Sequence, residues 1–272
     1  MNFDQACDCH VHVYEPGYPL APTATFLPPE APAAAYREVQ QALGLTRVVV
    51  VQPTGYGFDN ECTLAAVREL GPQARAVAVV RPDVPEAELD RLHASGVRGI
   101  RFMMLAGGVL PWASLEALAA RIAARGWHID LQLDGRDLPL HEPMLERLPC
   151  RLVIDHIGKF LGPVQLDGDA VTSLRRLLDG GRCWIKLAAP YETSVEGPPD
   201  YPDVAPLARL LAQHHPQRCL WASNWPHPNV RPVPDNAALL EWALGCLAGD
   251  ARRRTMLVDN PAELYGFEGA AG

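Results

Sequence analysis

The chain has no positive charge to spare. Its 272 residues carry 24 Lys and Arg against 32 Asp and Glu, a formal net charge of −8. Nucleic acids and anionic membrane surfaces both require a basic face, so neither is expected as a partner. No apolar run is long enough to span a bilayer. The first residues, among them Asn2, Asp4 and Gln5, lack the basic start and apolar centre of a signal peptide. The seven cysteines form no C-x-x-C pair. Cys150, Cys183 and Cys219 sit in apolar, strand-like runs, where cysteine acts as a small core residue. This odd, scattered set argues against a disulfide framework and points to a reducing cytoplasm. Low-complexity blocks, short-period repeats and dividing linkers are also missing.

What is present is a regular alternation. Hydrophobic content of 48% with 21% charged residues describes a globular chain that buries a sizeable core. Short β-branched runs alternate with Ala/Leu/Arg-rich amphipathic runs. Strands are expected over 6–13, 46–52, 74–80, 97–103, 127–133, 151–155, 182–187 and 218–222. Helical patterns fill the intervals, at 34–43, 60–70, 86–94, 112–125, 141–148, 169–178, 204–214 and 235–247, with a last helix beginning over 252–258. Continuous apolar strands such as Thr46-Arg47-Val48-Val49-Val50-Val51-Gln52 suit a sheet covered on both faces. Eight strand–helix units predict a (β/α)₈ barrel, a single domain over 1–272, near the usual ~250 residues. A doubly wound open sheet is the alternative. It is disfavoured because no glycine-rich phosphate turn follows the first strand.

In a barrel, chemistry sits where strands end and βα loops begin. The first strand, Cys7-Asp8-Cys9-His10-Val11-His12, places His10 and His12 at i, i+2, on one face of a strand. By the same alternation Cys7 and Cys9 share a face opposite Asp8 and His10. Strand two ends in Gln52, Thr54 and Tyr56, followed by Asp59-Asn60, which reads equally well as a helix cap. Strand four carries Arg98 and Arg101, strand five Gln132 and Asp134, and strand six ends in Asp155-His156-Ile157-Gly158-Lys159. Strand seven brings Lys186 and Tyr191, and strand eight ends in Asn224-Trp225-Pro226-His227-Pro228. All would converge on one mouth. Isolated readings exist for several: a structural lysine at 186, rim decoration at His227, a structural ion pair at Arg101.

Taken together, Asp-x-His-x-His on strand one, Asp-His-Ile-Gly-Lys after strand six, Trp-Ile-Lys-Leu on strand seven and Asn-Trp-Pro-His-Pro after strand eight resemble the amidohydrolase superfamily. They are most similar to its branch containing 2-pyrone-4,6-dicarboxylate lactonase. The segment Val51 to Asn60 and the closing Asn260-Pro261-Ala262-Glu263-Leu264-Tyr265-Gly266-Phe267 fit that branch as well. The resemblance runs from the first strand to the last helix. It implies a (β/α)₈ barrel that hydrolyses a carboxylated lactone, with related members isomerising lactones instead.

The resemblance also assigns roles. His10, His12 and His156 would contact the scissile carbonyl and stabilise its developing charge. Arg101 would bind a substrate carboxylate through its planar fork, with Lys159 and Tyr191 as secondary partners of that anion. Tyr56, Thr54 and His227 would hydrogen-bond hydroxyls or the ring oxygen. A metal-free site is expected. A single zinc on His10, His12 and His156 is the alternative.

Two departures stand out. The family places its general-base aspartate where this chain has Asn224. An amide can orient a water but cannot take its proton, and the neighbouring sequence supplies no acid beside it. Asn224 is then either a substitution introduced to trap substrate or a natural change marking altered chemistry or none. Secondly, the loop after Arg101 and the segment Tyr191-Glu192 hold no further arginine. A sugar-acid lactone or a monocarboxylate lactone fits one anion clamp better than a planar dicarboxylate. Hydrolase, isomerase and non-catalytic ligand-binding barrel are the readings carried forward.

Overall fold

The computed structural model describes residues 3–267. Eight strands form one parallel sheet in sequential order: β1 (Cys7–Val11), β2 (Arg47–Val51), β3 (Ala74–Ala78), β4 (Val97–Met103), β5 (His128–Gln132), β6 (Arg151–Ile154), β7 (Cys183–Leu187) and β8 (Cys219–Trp221). Each is followed by a helix: α1 (Ala33–Ala42), α2 (Glu61–Leu70), α3 (Glu86–Ala94), α4 (Leu115–Ala123), α5 (Leu138–Leu145), α6 (Asp169–Asp179), α7 (Ala205–His214) and α8 (Asn236–Gly245). The (β/α)₈ barrel expected from the sequence is therefore the fold. Past the end of β8, Asn224 N–H donates to the His10 carbonyl at 3.0 Å and His12 N–H donates to the Trp225 carbonyl at 2.8 Å. These bonds join the last strand to the first.

The strands are buried on both faces because both faces are covered. One set of side chains (Val48, Val50, Ile100, Ile129, Ile185) packs outward under the helices. The alternate set (Val49, Val51, Val153, Trp184, Leu220) fills the barrel interior. Tyr265 and Phe267 join that interior cluster. Gly99 on β4 is required by this packing: a Cβ there would lie 2.6 Å from the ring of His128.

Expected and observed elements differ mainly at their ends. Helix α5 begins at Leu138 rather than 141, because Pro139 suits the first helical turn. The stretch 112–125 is divided into a 3₁₀ turn, Trp112–Ser114, and α4. The terminal region is α9 (Gly249–Arg254), a π-helical turn over Thr255–Asp259, and α10 (Asn260–Tyr265). The ends of the expected 1–272 domain, residues 1–2 and 268–272, lie outside the described residues.

Candidate active site

The first strand does not keep simple alternation. Its register against β2 shifts between Asp8 and Val11, the signature of one extra residue in the strand. Asp8 consequently turns toward α1, where it accepts hydrogen bonds from the Tyr36 hydroxyl at 3.2 Å and Ser223 N–H at 3.0 Å. Cys7 and Cys9 pack in the interior cluster. The expected opposition of both cysteines to Asp8 and His10 therefore fails for His10. The bulge swings it to the interior, where it meets His12 across ring centroids 4.7 Å apart.

Beneath the histidines lies Lys186, fully buried on β7. Its ammonium donates to Asp130 Oδ2 at 2.7 Å and His10 Nδ1 at 2.9 Å, and pairs with Asp155 Oδ1 at 2.9 Å. An ammonium only donates, so His10 Nδ1 accepts and the ring proton sits on Nε2. His12 is fixed the other way, because its Nδ1 donates to the Val51 carbonyl at 2.8 Å. The two Nε2 atoms are 3.2 Å apart, with His10 donating to His12. These tautomers follow from the partners at each end of the chain.

His156 joins the pair, its ring centroid 4.9 Å from that of His10. It is held by left-handed backbone at His156 (φ 49°), Ile157 (φ 57°) and Lys159 (φ 45°). Such conformations cost energy for residues with a Cβ and persist where surroundings impose them. Burial, then the charge of Lys186, pushes His10 well below the ordinary imidazole range. Burial pushes His12 down to about 3 and also lowers His156. All three rings are neutral at pH 7. Burial would raise Asp155, but Lys186, His10 and His156 together outweigh it and hold the carboxyl well below its usual range. His10, Asp155 and His156 bring donor atoms within 4.8 Å of one another, a set that could hold a metal ion. Asp155 stands in it where the sequence suggested His12.

Above these groups opens a cavity of about 140 Å³. Its wall includes His12, Thr54, Arg101, His156, Lys159 and Asn224 among the sequence-derived candidates, together with Tyr14, Gln132 and Glu192. Arg101 Nη1 donates to the Gln52 carbonyl at 2.9 Å and Nη2 to Gln132 Oε1 at 2.8 Å, while Nε has no hydrogen-bond partner. Among the described residues Arg101 forms no ion pair, so the structural ion-pair alternative does not hold.

Other candidates lie off the wall. Tyr56 is buried with its ring 5.9 Å from that of Tyr14. Arg98 donates away from the mouth, to the His93 and Val97 carbonyls. Asn60 pairs with the backbone of Val79. Tyr191 and His227 form a supporting chain instead: Asn224 Nδ2 donates to the Tyr191 oxygen at 3.0 Å, Tyr191 Oη–H donates to His227 Nδ1 at 2.8 Å, and His227 Nε2–H donates to Asn236 Oδ1 at 2.9 Å.

The residue that sequence reasoning passed over is Glu192. One of its oxygens is ion-paired with Lys159, and the other lies 3.2 Å from Asn224 Nδ2. The expectation that no acid stands beside Asn224 is therefore corrected, since the loop after β7 folds a carboxylate across to it. Burial would raise Glu192, yet His156 and Lys159 outweigh burial and hold it below the ordinary glutamate range. Lys186 was legible only as a lysine in a strand motif. Its partnership with His10 required the barrel.

Comparison with known proteins agrees with this geometry. The family described as Amidohydrolase matches residues 7–267. The chain is 40% identical to a D-galactarolactone isomerase of Agrobacterium fabrum over 265 residues, covering 96% of this chain and 90% of that protein. It is 35% identical to a 2-pyrone-4,6-dicarboxylate hydrolase of Comamonas testosteroni, over 96% and 90% of the two chains. The apo crystal structure of ATU3138 from Agrobacterium tumefaciens superposes with a TM-score of 0.94 at 38% identity, covering 99% of this chain and 98% of that one. The chain belongs to the amidohydrolase family.

Proposed function

We propose that this protein opens the ring of a carboxylated lactone by attack of water on the ring carbonyl. One observation carries the reading: two neutral imidazoles, His12 and His156, backed by the buried ring of His10, line a cavity whose wall also holds a guanidinium with donors to spare. The N–H groups of His10 and His12 are committed to His12 and Val51, so neutral His156 is the ring with an N–H free to hydrogen-bond a carbonyl oxygen, more strongly as that oxygen gains charge. Arg101, with part of its fork uncommitted, suits a planar substrate carboxylate. Asn224 Nδ2 is committed to Tyr191 and Glu192, so its Oδ1 is available to accept from an attacking water. Among the described residues of the wall Arg101 is the single arginine. This supports a lactone with one carboxylate, such as a sugar-acid lactone, over a planar dicarboxylate.

The donor set argues against a resident metal. Asp155 Oδ1 already faces the Lys186 ammonium at 2.9 Å, and His10 Nδ1 accepts from the same group. A dication bound to Asp155 would be repelled by that fixed positive charge. We therefore read the site as metal-free, with Lys186 supplying the buried positive charge.

A second reading is isomerisation, in which a substrate hydroxyl attacks in place of water. It is favoured by Asn224, which departs from the aspartate expected for hydrolysis, and by the isomerase relative. NMR of products from a panel of carboxylated lactones separates the two. An open-chain acid supports hydrolysis, a rearranged lactone supports isomerisation, and unchanged lactones defeat both.

A further inference from the structure

We propose that Glu192 is the proton carrier of this site, taking the role that an aspartate at position 224 would otherwise fill. The inference rests on the lactone-opening reading above. Its basis is the geometry around Asn224. Glu192 is one-fifth exposed, lines the reaction cavity, and is held from both sides. Lys159 pairs with Oε2 and Asn224 Nδ2 donates to Oε1 at 3.2 Å.

The same contact explains the amide at 224. Both hydrogens of Asn224 Nδ2 are used, one toward Tyr191 Oη and one toward Glu192 Oε1. An ionised carboxylate only accepts, so the amide must present its NH₂ to Glu192. An aspartate at 224 would set a second carboxylate against the first, and like charges at that distance cannot both ionise freely. Asn224 and Glu192 are thus a matched pair. A carboxylate entering from the loop after β7 replaces one at the end of β8, and the amide holds it. On this view Asn224 is a natural feature of the chain rather than a lesion.

The proton balance is simple. As the attacking oxygen bonds to the carbonyl carbon, its proton passes to Glu192 Oε1. When the tetrahedral intermediate collapses, the bond from that carbon to the ring oxygen breaks, and Glu192 returns the proton to the departing oxygen. With water as nucleophile the product is a hydroxy acid, which releases its carboxyl proton to solvent. With a substrate hydroxyl as nucleophile the product is a rearranged lactone, with no net gain or loss of protons.

The test is the steady-state kinetics of Glu192→Gln and Asn224→Asp across pH, on whichever lactone the parent opens. The groups facing Glu192 are Lys159 and His156 from the loop after β6, Asp155 at the end of β6, Tyr191 on its own loop and Asn224 after β8. Glu192→Gln is isosteric and should fold, as circular dichroism would verify. It is expected to lower kcat by more than ~100-fold, with KM within about threefold, and to abolish the acid limb of the pH profile. Glu192→Asp is expected to recover part of the rate. Asn224→Asp is expected to move the acid limb to higher pH, because the new charge raises the carboxyl that must stay ionised. A Glu192→Gln protein within about tenfold of the parent, with an unchanged acid limb, overturns the assignment alone. A parent that opens no lactone overturns the functional reading, and this assignment falls with it.

Discussion

Lys186 Nζ lies 2.9 Å from His10 Nδ1, deep inside the barrel and 176 residues away in sequence. That contact sets the protonation pattern of the mouth. The ammonium forces the His10 proton onto Nε2, the nitrogen that faces His12, and His12 in turn lines the cavity. On the proposed reading Lys186 is a positioning residue, fixing the tautomer of His10 and, through it, the acceptor state of His12 Nε2.

Lys186→Met removes the only cation paired with Asp130 and Asp155 among the described residues. Stripping one partner from a buried ionic cluster costs ~3–5 kcal/mol. Denaturant unfolding is expected to show a loss of that order. A variant as stable as the parent would mean that the cluster is not charged as described.

Arg101→Lys keeps the charge but loses the planar fork that meets both Gln132 and a substrate carboxylate. KM for a carboxylated lactone should rise by roughly 10–100-fold with a smaller change in kcat, since charge-assisted hydrogen bonds contribute about 1.5–3 kcal/mol. A lactone lacking the carboxylate should show no such difference. Equal effects on both substrates would remove Arg101 from carboxylate binding.

His156→Ala deletes an imidazole aimed at the cavity from a strained turn. The expected signature is a kcat lower by about 10²–10³-fold, as for loss of one oxyanion donor. KM should stay close to that of the parent. A change confined to KM would assign His156 to ground-state binding.

His128 gives the clearest effect of pH on stability. Burial pushes its ring down to about 3 in the folded chain, against about 6.5 when unfolded. Below pH ~6.5 the unfolded chain takes up a proton that the native ring refuses. Stability is therefore lost as pH falls from about 6.5 toward about 3. Asp8, raised by burial to about 6, acts in the opposite sense, so the comparison must be differential. Between pH 7 and 5 the parent should lose about 2 kcal/mol more unfolding free energy than His128→Gln. Identical losses would contradict a neutral buried His128.

The sequence made the barrel legible because eight apolar strands, each followed by an amphipathic helix, leave few other architectures. Given the barrel, His12, His156, Arg101 and Asn224 could be brought to one mouth, since each closely follows or ends a strand. Three features were out of reach for physical reasons. The bulge in β1 reverses a face by inserting one residue, and nothing in Cys7-Asp8-Cys9-His10 marks it. Strand-end position makes Tyr191 and His227 candidate substrate ligands but says nothing of side-chain direction, and the structure turns them toward each other. Glu192 reaches Asn224 and Lys159 from 32 and 33 residues away along the chain. Local pattern carries no trace of such a meeting.

The most direct measurement is turnover of a panel of carboxylated lactones in water enriched in heavy oxygen, with the products resolved by NMR and mass spectrometry. The expected result is a ring-opened acid carrying one heavy oxygen. A rearranged lactone without label would shift the reaction to isomerisation at the same site. Recovery of every lactone unchanged, from folded protein, would contradict the proposal that this mouth attacks a lactone carbonyl.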